Sequence, residues 1–179
     1  ISMFAKASST KPEDTKIGPL LETIRNGQYE IQINLLRNLL EEGKKDEYNR
    51  DKKKLPAFTI SGKFSKRNAN GLQDHSGIIQ IDIDKVENPA ELRDKLAQDN
   101  HICAAFISPS GKGVKCLLLT FADPAKHKAY FFASEKHLKD HHNIQIDKAC
   151  KDVNRLCFVS YDADLRTNPD AIPLPLPEE

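Results

Sequence analysis

Asp82 and Asp84 stand two residues apart in the run Ile78-Ile79-Gln80-Ile81-Asp82-Ile83-Asp84. Side chains alternate across a β-strand with period two, so both carboxylates share a face with Gln80, while Ile79, Ile81 and Ile83 occupy the other. Two carboxylates that close repel each other, and a cation between them relieves the repulsion. Hard oxygen ligands of this kind suit Mg²⁺ or Mn²⁺. A pair of solvated acids at a strand end is the plain alternative.

A second candidate is Ser108-Pro109-Ser110-Gly111-Lys112-Gly113-Val114-Lys115. Gly111 and Gly113 let backbone N–H groups approach an anion, Ser110 offers a hydroxyl, and Lys112 and Lys115 offer charge. The segment could hold a triphosphate. It is not a Walker loop, because GxxxxGK[ST] is absent, and an ordinary hairpin turn explains it equally well. A third candidate runs from Asp147 to Arg155. Asp147, or failing it Asp152, could complete a carboxylate cluster, and Arg155 could reach a phosphate. Each is otherwise a turn residue or a structural ion pair. Asp162 and Asp164 read as loop acids. His137 and His141 have the i,i+4 spacing of a helical metal site but lack the glutamate of HExxH, so with His142 they read as a solvated helix end. The basic stretch from Lys44 to Lys54, extended by Lys63, Lys66 and Arg67, reads as a solvated face, with a nucleic-acid-facing role as the sharper alternative.

The elements that must position these residues follow from periodicity and breakers. Residues 1–16 are polar and expected to be loose. Leu20, Leu21 and Ile24, then Ile31, Leu35, Leu36, Leu39 and Leu40, form two helical stripes closed near Gly27 and Gly43. Residues 56–61 read as a short strand and 63–77 as loop. Strand one spans 78–84. Asn88-Pro89-Ala90-Glu91 opens a helix, with Asn as cap, Pro at the first position and Glu as reciprocal partner. Strands at 102–107 and 114–121, a helix from Asp123-Pro124 to about His142, and a last strand at 155–160 complete the order βαββαβ. The fold class expected is therefore α+β: an RRM-like or ferredoxin-like core with a mainly antiparallel sheet, plus an N-terminal helical region. Right-handed crossovers place both helices on one face. Strand one is then central, flanked by the third and fourth strands, with the acids on the opposite face. The expected division is 1–55 leader and helices, 56–165 core and 166–179 proline-rich tail, within one structural domain.

The chain has 179 residues and a net charge of only +1, which excludes a uniformly basic coat but not a local basic patch. Cys103, Cys116, Cys150 and Cys157 include no CxxC pair, so they read as buried reduced thiols rather than a zinc ribbon. No apolar run approaches ~20 residues, so no membrane span is expected. The start lacks the apolar stretch of a signal peptide, and a cytoplasmic protein is expected. Ile1 and the stretch from Ile172 to Glu179 suggest a domain taken from a longer chain.

Together, a strand-borne DxD, an SxGxG-type hairpin and an acid before an arginine-bearing strand resemble the catalytic core of archaeo-eukaryotic primases and primase-polymerases. More closely, the chain resembles the VirE N-terminal domain family, a primase-like group of bacterial mobile-element proteins. The matching stretches are ISMF, IRNGQY, LPAFTISGKF, IIQIDIDK, FISPSGKGVK and DVNRLCFVSYDADL, which span nearly the whole chain. The resemblance implies that Asp82, Asp84 and Asp147 are catalytic acids holding two Mg²⁺ or Mn²⁺ ions. It implies that Ser110, Gly111, Lys112, Gly113, Lys115 and Arg155 contact the nucleotide. Primases place a histidine where Lys115 stands; lysine binds phosphate as a point charge but does not reproduce imidazole geometry.

The function implied is nucleotidyl transfer, using nucleoside triphosphates on a single-stranded or primed DNA template, with a helicase-type or other domain following in the full-length protein. The alternative is a catalytically degenerate primase-fold module that binds single-stranded nucleic acid or nucleotide. The run IDIDKV also matches the DxDx[TV] motif of HAD phosphatases, but that fold needs a doubly wound parallel sheet, and here two strands are joined by a mere hairpin.

Overall fold

Elements form largely where local chemistry favours them, although the shortest strands depend on distant partners. The computed structural model describes residues 1–177; Glu178 and Glu179, the end of the expected proline-rich tail, lie outside them. Strands β1 (Ser2–Phe4) and β2 (Glu13–Asp14) come first, then helices α1 (Ile17–Arg25), α2 (Glu30–Glu41) and α3 (Lys45–Lys52). The N-terminal stretch is thus not loose. Ser2 and Phe4 are fully buried because β1 pairs on both edges, with β2 and with β3 (Ala57–Thr59). The segment expected to be loop contains a hairpin of β4 (Gly62–Phe64) and β5 (Leu72–His75). Helix α3 falls in the basic stretch, where Asp46 and Glu47 in its first turn and Arg50 and Lys52 in its last complement the helix dipole.

Next come strand β6 (Ile78–Ile83), helix α4 (Pro89–Leu96), strands β7 (Ile102–Ile107) and β8 (Val114–Leu119), and helix α5 (His127–His142). Asn88 caps α4, accepting from the Glu91 N–H at 3.3 Å, while its own amide donates to the Glu91 carboxylate at 3.0 Å. A short 3-10 turn capped by Asp123 leads into α5, and Asn143 ends that helix in the left-handed region at φ 54°. Strands β9 (Cys157–Phe158) and β10 (Arg166–Thr167) complete the set.

The sheets run β2-β1-β3-β9 and β10-β7-β8-β6, and every pairing in them is antiparallel. The α+β class stands. Among the described residues there is no doubly wound parallel sheet of the HAD type. The strand order differs from expectation in one respect. β6 pairs with β8 as expected but is an edge strand, because β9 leaves its side and pairs with β3, Ala57 opposite Phe158. Both Ala57 and Cys157 are buried in that alternative pairing, which gives an apolar reason for it.

Ile79, Ile81 and Ile83 pack with Leu96 of α4 and Phe131 and Leu138 of α5. The opposite face is covered rather than open. Leu20, Ile24, Ile33 and Leu36 of α1 and α2 join Phe58, Ile78, Phe106 and Leu117 in a second core. The tail docks as well: Leu174 is buried and its N–H donates to the Leu119 carbonyl at 2.8 Å. Among the described residues, no helix is long and apolar enough to cross a membrane.

His127, only 4% exposed at the start of α5, lies 3.0 Å from His75, ring nitrogen to ring nitrogen. Burial first, then the neighbouring His75, holds its pKa down at about 4. The unfolded histidine titrates near 6.5, so the unfolded chain binds the proton first. The stability tied to neutral His127 is complete above that value and is lost as pH falls through the folded one. The loss is at most about 3 kcal/mol. Urea unfolding should therefore show a decline in stability from about pH 7 to about pH 4.5 that is shallower in His127→Gln. Equal slopes in the two proteins would exclude this histidine as the cause.

Candidate functional site

Strand pairing decides what Asp82 meets. Lys115 of β8 sits directly opposite Asp82 of β6 in the register. Its ammonium donates to Asp82 Oδ1 at 2.9 Å, with the two side chains only 8% and 14% exposed. The Gln80 amide donates to the same oxygen at 3.1 Å, and the Cys150 thiol donates to Oδ2 at 3.3 Å. Burial disfavours the Asp82 charge, but Lys115, Gln80 and Cys150 together outweigh it and the carboxyl is held at about 2. Burial likewise works against the Lys115 ammonium, and Asp82 raises its pKa in spite of that. Burial, then Asp82, pushes the Cys150 thiol up to about 12, so it stays protonated as a donor.

This pair forms part of the wall of an open cavity of about 680 Å³. Lys52 and Lys53 from the end of α3, Arg67, and Asp152, Asn154, Arg155 and Phe158 from the approach to β9 complete its charged and aromatic lining, with Asn49 and Ala7 at the edge. Five cationic side chains thus face two carboxylates. Lys52 is half-buried, and its ammonium stands 5.3 Å from the Phe158 ring centre. Burial first, then Lys115, lowers its pKa, with Asp82 and Asp84 acting in opposition. Three other cations of the basic stretch are neutralised locally: Lys44 pairs with Glu42, and Arg50 and Lys54 pair with Asp51.

The expected site residues separate into groups. Asp82, Lys115 and Arg155 line the same cavity, and Asp152 joins them. Asp84 is exposed just past the end of β6. Asp147 caps the 3-10 turn Lys148–Lys151, accepting from the Ala149 N–H at 2.9 Å. Ser110, Gly111, Lys112 and Gly113 build the β7–β8 turn and do not line the cavity. The Gly111 N–H donates to the Ser108 carbonyl at 2.9 Å and the Lys112 N–H to Ser110 Oγ at 3.1 Å, so those two donors are used within the turn. Its glycines have packing reasons. Gly111 has φ 74°, and a Cβ at Gly113 would sit 2.7 Å from the Ile83 carbonyl oxygen.

The cation expected between Asp82 and Asp84 has a competitor in the chain itself. Lys115 already neutralises Asp82, and a metal ion on that carboxylate requires the ammonium to move away. Among the described residues, the close grouping of three potential ligand residues is Asp99, His137 and His142, none of which belongs to this cavity.

Arg37, which sequence reasoning passed over, and Asp162, which it read as a loop acid, support the site. Arg37 of α2 donates to the Ser108 carbonyl at 3.1 Å and the Tyr161 carbonyl at 2.9 Å, bracing the β7–β8 turn. Asp162 is buried, and its carboxylate accepts from Arg93 at 2.8 Å and from the Ile107 N–H at 2.9 Å. No local pattern marks these bracing contacts, because Ser108 and Tyr161 for Arg37, and Arg93 and Ile107 for Asp162, are all more than 50 positions away.

A family model described as BT4734-like, N-terminal domain, matches residues 50–166. That span contains the cavity lining except Ala7 and Asn49. No curated protein and no solved structure matches the chain.

Proposed function

The chain belongs to the BT4734-like, N-terminal domain family, and from the charge layout of its main cavity we propose that it is a primase-like domain that binds nucleotides or single-stranded DNA through their phosphates. The observation that carries this reading is the excess of cations around the cavity. Among the described residues, Lys52, Lys53, Arg67 and Arg155 have no carboxylate bonded to them, while Lys115 is engaged by Asp82. Crowded cations with a lowered lysine pKa gain from a bound anion. The volume suits a nucleotide-sized ligand. Phe158 at the wall offers an aromatic surface on which a base can stack.

Binding of a labelled single-stranded oligonucleotide, followed by fluorescence anisotropy, tests this. With four free cations engaged, log affinity should fall with log salt at a slope of about −3. Arg155→Ala should weaken binding and reduce that slope by about 0.7. Affinity unchanged in both Arg155→Ala and Lys53→Ala would rule out the cavity as the binding surface.

The enzymatic reading draws support from the ionised state of Asp82 and from Asp152 in the same cavity. In it, Asp82 and Asp84 would hold Mg²⁺ or Mn²⁺, which when bound activate a 3′-hydroxyl and stabilise the leaving pyrophosphate. Lys115 would then have to leave Asp82, where it could serve a phosphate instead. Incorporation of labelled nucleotide on a primed template with Mn²⁺, abolished in the exposed-site variant Asp84→Ala, supports transfer chemistry. DNA binding without incorporation supports the binding module alone.

A further inference from the structure

The sequence reading places His137, His141 and His142 together on a solvated helix end. The structure separates them. His141 is exposed, whereas the His137 and His142 side chains are only 12% and 10% exposed. Both turn their Nε2 atoms onto one oxygen, Asp99 Oδ2, each at 2.7 Å. Asp99 lies in the turn between α4 and β7 and is itself 7% exposed at the side chain. Its other oxygen accepts the His101 N–H at 2.9 Å, which fixes the carboxylate orientation. The contact between the end of α5 and this turn is therefore built from two imidazoles and a carboxylate.

We propose that Asp99, His137 and His142 form a binding site for a Zn²⁺-like divalent transition ion, separate from the phosphate-binding cavity and not dependent on it. The three ligand atoms lie within 4.8 Å of one another. Two imidazole nitrogens and one carboxylate oxygen are the donor set that zinc takes when a fourth position is left to water. Nitrogen donors disfavour Mg²⁺ and Ca²⁺. Tetrahedral bonds to such an ion place ligand atoms about 3.3 Å apart; each Nε2 would draw back from Asp99 Oδ2, now at 2.7 Å, within a group already held inside 4.8 Å.

Protons are accounted for as well. Without metal, each Nε2 next to Asp99 carries a hydrogen and donates it to the carboxylate. On binding, Nε2 becomes a lone-pair donor and its proton passes to Nδ1 or to solvent. His142 Nδ1 is buried with no hydrogen-bond partner among the described residues, so a proton moved there is an unpaired N–H whose cost the coordinate bond must exceed. The ion would replace two hydrogen bonds with three coordinate bonds and tie the last turn of α5 to the loop that leads into β7.

The test uses the untagged full chain, stripped of metal and titrated with Zn²⁺ by calorimetry, with Co²⁺ absorption as a spectroscopic report of the ligand set. Saturable binding of one ion per chain is expected, lost in His142→Ala and in His137→Ala and kept in the exposed neighbour His141→Ala. Asp99→Asn, which keeps the shape and a hydrogen-bond acceptor, should weaken binding. Zn²⁺ should raise the Tm of the parent protein and leave that of His142→Ala unchanged. Absence of saturable binding in the parent would overturn the proposal. So would binding that persists in both histidine variants, which would assign the ion to the cysteines or the surface.

Discussion

Replacing Lys115 by alanine destabilises the fold by about 3–5 kcal/mol. The reason is the carboxylate left behind. Asp82 is mostly buried and ionised, and Lys115 is its bonded cation, with Gln80 and Cys150 as neutral donors. Removing one partner of a buried pair leaves a charge that has paid its desolvation cost and lost its compensation. The double replacement Lys115→Met with Asp82→Asn removes the orphan charge and should recover most of the loss. Urea denaturation of the two single variants and the double variant gives the coupling directly. The Lys115→Ala deficit should also shrink on acidification, because protonation neutralises the stranded carboxylate. A loss below about 1 kcal/mol would place the pair among solvated surface bridges, contrary to its burial.

Asp162→Ala should be comparably damaging, at about 3–5 kcal/mol. Its carboxylate joins three parts of the chain: Arg93 of α4 at 2.8 Å, the Ile107 N–H of β7 at 2.9 Å, and the Asp164 N–H at 3.0 Å. Both side chains of the Arg93–Asp162 pair are 4% exposed. Alanine strands a guanidinium that retains Asp94 and leaves the N–H of Ile107, at the end of the interior strand β7, without its acceptor. Asp162→Asn keeps an acceptor for the backbone groups while losing the charge, so it should fall between the parent and alanine. Thermal melts of the three proteins rank them. Asn and Ala behaving alike would mean that charge, not the backbone bonds, carries the effect.

The parts of this molecule legible in its sequence are those set by short-range physics. The alternation in β6 assigns Ile79, Ile81 and Ile83 to the helical side, where they are found. Asn88-Pro89 and Asp123-Pro124 mark the two helix starts, because capping is decided within four residues. The parts not legible depend on pairing between distant segments. Ser-Met-Phe at the start is too short to show a period, and it becomes an interior strand only because residues 57–59 reach it. The pairing of Cys157 with Phe58 likewise has no local signature. At the site, the sequence identified Asp82, Lys115 and Arg155 as separate candidates. It did not reveal that the β6–β8 register sets Lys115 against Asp82, nor that Lys52 and Lys53 at the end of α3 face them. His137 and His142 depart from a solvated helix end for a related reason: the carboxylate they share, Asp99, lies on a different segment.

The long reach of these pairings has a kinetic consequence. The cavity draws its lining from Ala7 to Phe158, and the sheet beside it closes a loop of roughly a hundred residues between β3 and β9. Closing so long a loop costs entropy before its contacts repay it, and such pairings slow folding. The α4–β7–β8 segment, with its local hairpin, can organise early, whereas the cationic cavity must wait for both ends of the chain. Recovery of anion binding during refolding should therefore lag the return of helical signal, making ligand binding a marker of the last step of assembly.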